Sequence, residues 1–143
     1  MARHFFFYGT LRRDLVTAPS AKLIEGLELV GPATLKGRIF AKFDPRGAYP
    51  VLLRDGIGTV HGIVCRGGER FTIRSLAALD RYEGAARAGG EYVRRPMPVM
   101  LGRGGAITAD AYLYTRRVTP DLIPIPHGDF ARWLAETGER PFG

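Results

Sequence analysis

The chain has 143 residues, 45% of them apolar and 24% charged, which fits one globular domain expected to run from 1 to 143. No apolar run approaches the roughly 20 residues of a membrane span, and the single cysteine, Cys65, excludes internal disulfides and cysteine-based metal sites. The net charge of +7 is almost all arginine, but the doublets Arg12-Arg13, Arg94-Arg95 and Arg116-Arg117 are scattered, so a basic surface is expected rather than a nucleic-acid face.

The first stretch of note is His4-Phe5-Phe6-Phe7-Tyr8-Gly9-Thr10-Leu11. Four consecutive aromatics read as a strand buried on both faces, and Gly9 lets the backbone turn and approach another segment closely. Thr10 can accept a hydrogen bond from a nearby amide, and a buried strand that stops in a loop of free amides suits an anion. The apolar block is too short for a signal peptide and no small-residue cleavage site follows it, so a cytoplasmic setting is expected.

Residues 12–26 read as a loop, then a short helix or turn closed by Gly26. Leu27 to Ala33 and Leu35 to Phe43 read as two strands separated by Gly31-Pro32, and Pro45-Arg46-Gly47 is a turn signal. Tyr49 to Leu53 is extended, since Pro50 biases Tyr49 away from helix. Asp55-Gly56 suggests a hairpin turn before a strand over Thr59 to Arg66, inside which Gly62 marks a bulge or a close backbone approach. Residues 72–83 make the best helix, started by Thr72 or Gly68 and capped by Gly84. Tyr92 to Leu101 and Ala106 to Thr115 form two strands joined by Gly102-Arg103-Gly104-Gly105. His127-Gly128-Asp129 opens a last short helix with Phe130, Trp133 and Leu134 on one face. Many short strands and few helices predict a compact α+β domain with a mixed sheet curled into a partial barrel.

Glu83 is the candidate catalytic residue. It ends the helix of Leu79-Asp80-Arg81-Tyr82-Glu83-Gly84, facing the negative end of the helix dipole. That placement disfavours the charged carboxylate and makes it a better base. The ordinary alternative is a solvated last-turn residue paired with an arginine. His4, His61 and His127 lack metal-ligand spacing, and Cys65 within a strand reads as a buried, inert thiol.

Tyr8-Gly9-Thr10-Leu11 after an apolar strand, followed by Leu79-Asp80-x-Tyr82-Glu83-Gly84, resembles the gamma-glutamylcyclotransferase superfamily, nearest its gamma-glutamylamine cyclotransferase-like branch. Gly47-Ala48-Tyr49-Pro50, Glu91-Tyr92-x-Arg94-Arg95, Ala111-Tyr112-Leu113-Tyr114 and Pro126-His127-Gly128-Asp129-Phe130 agree with that pattern, so the resemblance covers nearly the whole chain. The pair of motifs in this order is fairly specific; either alone is weak. The glutathione-acting branch usually has Ser where this chain has Thr10, which argues against glutathione.

The resemblance implies a small mixed β-barrel flanked by short helices. It implies that Tyr8, Gly9, Thr10 and Leu11 bind the α-carboxylate and amine end of a gamma-glutamyl group, that Glu83 is the general acid/base, and that Tyr49, Tyr92 and Tyr114 wall the pocket. It implies no metal and no cofactor. The reaction would release 5-oxoproline and a free amine from a small gamma-glutamyl compound by attack of its own α-amine. The alternative is a binding module that keeps the pocket without turnover; a basic nucleic-acid-binding domain ranks last. The leaving amine and the oligomeric state are not legible.

Overall fold

The aromatic run forms β1 (His4–Phe7), and both its faces are covered, as a continuous apolar strand requires. Phe6 and Tyr8 enter one core cluster while Phe5 and Phe7 enter the other, following the period of two of an extended chain. Burial of one such ring is worth roughly 1.5–3 kcal/mol, so the strand is anchored from two sides. The computed structural model describes residues 3–9, 24–85 and 89–142. Most of the stretch 12–26, and both Thr10 and Leu11, lie outside the described residues.

β1 is one stave of a closed five-stranded barrel, ordered β1, β5 (Thr59–Gly67), β2 (Leu27–Lys36), β6 (Tyr92–Leu101), β7 (Ala106–Tyr114). The β1–β7 pairing is parallel and the remaining pairings are antiparallel, so the barrel is mixed. A second, three-stranded sheet has the order β4 (Gly47–Leu53), β3 (Arg38–Asp44), β8 (Ile123–Pro124). Pro50 sits on β4, an edge strand of this sheet, where its missing N–H costs no ladder bond.

Two expectations about turns are corrected. β2 runs straight through Gly31-Pro32; the register slips between Leu29 and Gly31, so this glycine marks a β-bulge and not a strand boundary. The boundary falls at Gly37, where a β-carbon would stand 2.6 Å from the Leu53 carbonyl oxygen. Asp55-Gly56 does not close a hairpin. β4 pairs with β3, whereas β5 pairs with β1 and β2, so residues 54–58 carry the chain from one sheet to the other. Arg38 Nη2 holds the Asp55 carboxylate there at 2.8 Å. Gly62 marks a close approach: a β-carbon would lie 2.4 Å from the Phe7 carbonyl oxygen.

Helix α1 (Ile73–Tyr82) starts at Thr72 in a reciprocal cap, Ser75 N–H donating to Thr72 Oγ1 and Thr72 N–H to Ser75 Oγ. It buries Leu79 in the cluster that holds Phe5 and Phe7, so its last turn is fixed against β1. Helix α2 (Phe130–Thr137) is capped by Asp129, which accepts the Arg132 N–H, and buries Phe130, Trp133 and Leu134 in the other cluster.

Candidate active site

The end of α1 is built to hold one side chain. Gly84 takes φ +74° and donates its N–H to the Arg81 carbonyl at 3.2 Å, while the Ala85 N–H reaches the Asp80 carbonyl at 2.8 Å. This pair of bonds closes the helix and satisfies carbonyls the last turn leaves open, a geometry that a glycine at the left-handed position makes easy. Glu83 is the C-cap, with its own N–H bonded to the Leu79 carbonyl at 3.0 Å.

Glu83 lines a cavity of about 280 Å³ together with Tyr8, Gly9, Tyr49, Tyr92 and Tyr112. As a residue Glu83 is half-buried. Its carboxyl group is shielded, and burial first, the nearby charge of Asp80 second, push its pKa up to about 8. No Lys or Arg among the described residues forms an ion pair with it.

The tyrosines differ in what they do. Tyr8 donates its hydroxyl to the Tyr112 carbonyl, tying the end of β1 to β7. Burial, then the charge of Glu83, holds the Tyr8 phenol well above its ordinary range. Tyr92 donates to the Pro50 carbonyl at 2.7 Å and is shifted upward chiefly by burial. Tyr112 donates to Asp80 Oδ1 at 2.7 Å; burial and that bond raise its pKa. All three therefore stay protonated across the neutral range. The Tyr49 hydroxyl donates to Glu91 at 3.1 Å, and its pKa is pushed up to about 12 by burial and then by the Glu91 charge.

Gly9 approaches Pro50 so closely that a β-carbon would lie 2.7 Å from Cγ. Tyr114 does not line the cavity. Its hydroxyl accepts from Lys42 Nζ at 3.2 Å and its ring stands edge-on to Tyr92, so it backs the wall. Thr10 and Leu11 lie outside the described residues.

Asp44, Arg46, Glu91, Tyr112 and Phe142 also line the cavity, and none of them is named singly as a site residue from the sequence. Glu91 is held by Lys42 and Tyr49 from the second sheet. Phe142 arrives because residues 140–142 pair with Ala48 beside β4. Only Tyr112 had a local signal: it shares a strand face with Tyr114 by the period of two. Among the described residues no group of three His, Cys, Asp or Glu side chains is arranged to hold a metal ion.

The model of the family described as "Gamma-glutamyl cyclotransferase, AIG2-like" matches residues 5–132. The chain belongs to this family. The matched span includes both the Tyr8-Gly9 turn and Glu83. No curated protein sequence matches the chain significantly. Among solved structures, YkqA from Bacillus subtilis superimposes with a TM-score of 0.70 at 20% identity, covering 96% of this chain and 43% of that protein. The chain thus spans less than half of that relative's length. An AIG2-like protein from Mus musculus gives a TM-score of 0.64 at 19% identity over 90% of this chain and 88% of that one. A structure titled gamma-glutamyl cyclotransferase gives 0.62 at 18% identity, covering 88% and 73%. At these identities the likeness establishes the fold, the mixed barrel with its second sheet and short helices. No helix of the described residues is long and apolar enough to cross a membrane.

Proposed function

We propose that the protein is a gamma-glutamyl cyclotransferase, acting on a small gamma-glutamyl amine or amino acid and releasing 5-oxoproline and the free amine. The observation that carries this reading is Glu83: a shielded carboxyl in an aromatic-walled cavity, with its pKa raised to about 8. A peptide α-amino group titrates at about 8, and the substrate's α-ammonium, beside its own carboxylate, somewhat higher. Proton transfer between two such groups is close to balanced, which is the condition for an efficient general base.

The reaction is intramolecular. The α-ammonium gives a proton to Glu83, and the amine attacks the γ-carbonyl to form the lactam C–N bond. The bond to the departing nitrogen then breaks. The α-nitrogen loses two protons in all and the departing nitrogen gains two, so one carboxyl can carry both, one after the other. Nucleophile and electrophile already belong to one molecule, and the cavity has to impose a bent conformer more than to gather reactants. The turn at Tyr8, Gly9, Thr10 and Leu11 is assigned the α-carboxylate end, with its amides as donors to developing charge. Tyr49 and Tyr92 are assigned to the wall, and Tyr114 to support behind it.

The test is release of 5-oxoproline from a panel of gamma-glutamyl amines, gamma-glutamyl amino acids and glutathione. Turnover of one class is expected. Binding of such ligands with no release from any of them would replace this reading with that of a binding module.

A further inference from the structure

Asp80 lies one turn before Glu83 on α1, and its carboxylate is bonded on both oxygens. Its Oδ1 accepts from Arg94 Nε at 2.9 Å and from the Tyr112 hydroxyl at 2.7 Å. Arg94 Nη2 reaches Oδ2 at 3.4 Å. The same guanidinium donates Nη1 to Asp110 at 2.8 Å, and Asp110 also takes Arg3 Nη1 at 2.8 Å. Two aspartates and two arginines thus alternate in one chain of bonds, with Asp80 at its cavity end. The side chains of Asp80 and Asp110 are only 19% and 12% exposed, so their charges are poorly screened by water.

The arrangement joins three elements at one carboxylate. α1 supplies Asp80, β6 supplies Arg94, and β7 supplies both Asp110 and the cavity-lining Tyr112. We propose that Asp80 is the positioning residue for Glu83: it pins the last turn of α1 and the Tyr112 wall together, and it holds a charge shared with Arg94 one helical turn from the Glu83 carboxyl. This inference rests on the reading of Glu83 as the proton acceptor.

The other groups around Glu83 leave that role to Asp80. Tyr8 from β1, Tyr92 from β6 and Tyr112 from β7 are neutral across the working range. Glu91, before β6, has its charge taken up by Lys42, Tyr49 from β4 stays protonated, and Asp44 and Arg46, which line the cavity between β3 and β4, pair with each other at 3.8 Å. Asp80 is the charged group that acts on Glu83, and it acts in the direction of retaining the proton. Arg94 offsets that influence but divides itself between two aspartates, so part of the Asp80 charge remains uncompensated.

The test is a titration of the Glu83 carboxyl by carbon NMR on protein carrying labelled glutamate, the signal being assigned by its loss in Glu83→Gln. Asp80→Asn keeps an acceptor toward Arg94 and Tyr112 but removes the charge. It should lower the Glu83 midpoint from about 8 by on the order of one pH unit. Arg94→Gln should raise the midpoint by freeing the Asp80 charge, and Arg94→Lys should return it toward the wild-type value. Opposite movements of this kind cannot come from loosened structure alone. Arg94→Gln decides by itself if Asp80→Asn does not fold, because loosening would lower the midpoint and not raise it. If only Asp80→Asn folds, an unchanged or raised midpoint overturns the proposal, and Asp80→Glu, which restores the charge, must return a lowered one toward wild type. An unchanged midpoint, or movement in the same direction in both, would overturn the proposal. The titration needs no turnover, so an inactive wild type would refute the cyclotransferase reading while leaving this result to stand or fall alone.

Discussion

Gly9 and Pro50 meet at the floor of the cavity: a β-carbon on Gly9 would stand 2.7 Å from Pro50 Cγ and 3.0 Å from Cδ. Neither side has room to yield. The Pro50 carbonyl is held by Tyr92, and the neighbouring Val51 is fully buried in its core cluster. Overpacking of this kind costs about 1–3 kcal/mol. Gly9→Ala is therefore expected to lower the urea midpoint by a corresponding amount and to weaken gamma-glutamyl ligands. Wild-type affinity in a variant of reduced stability would detach the 8–11 turn from binding.

Glu83 leaves a mark on stability as well as on chemistry. In the unfolded chain its carboxyl titrates near 4.5, whereas in the folded protein it titrates near 8. Between those values the folded state holds a proton that the unfolded state has lost. Rising pH therefore removes up to about 1.4 kcal/mol of stability per pH unit across the window. Below it the group contributes no pH dependence, and above it the full cost is in place. Glu83→Gln should be flatter with pH than the wild type and should gain on it steadily from pH 5 to 8. Urea unfolding at several pH values measures this; a constant difference between the two proteins would refute the raised pKa.

The segment 140–142 closes one side of the site. Ala48 N–H donates to the Arg140 carbonyl and Phe142 N–H to the Ala48 carbonyl, each at 2.8 Å. The Phe142 ring then stands edge-on to Tyr49 with centroids 5.6 Å apart, under the Arg46 guanidinium. Gly47 permits this: it has φ +133°, and a β-carbon there would lie 2.5 Å from the Pro141 oxygen. Gly47→Ala and Phe142→Ala should act alike, raising KM roughly 2- to 10-fold with kcat little altered, matching the 0.5–1.5 kcal/mol of an aromatic contact. Unchanged KM in both would place Phe142 outside the substrate's reach.

What the sequence disclosed was local. The helix before Glu83 could be read because its cap at Thr72, its buried Leu79 and its closing Gly84 all lie within a dozen residues. β1 could be read because four aromatics in a row leave no polar face. Gly9 was legible as a place of close approach, but not its partner Pro50, which comes from a different sheet. Sheet order was hidden for the same reason: Asp55-Gly56 is a good hairpin dipeptide, yet β4 already has its partner in β3. Glu91 and Phe142 reach the cavity only through tertiary closure, one through Lys42 and Tyr49, the other through Ala48. Tyr112 and Tyr114 share a face of β7, and which of them meets the cavity depends on where α1 ends against that strand.

The most direct test of the role given to Glu83 is 5-oxoproline release by wild type and Glu83→Gln on one gamma-glutamyl substrate, with ligand affinity measured alongside. The amide fills the same space but cannot take the proton. Turnover should fall by about 10²- to 10⁴-fold, the usual contribution of a general acid/base, while affinity changes little. Turnover retained within a few-fold of wild type would show that the proton goes elsewhere.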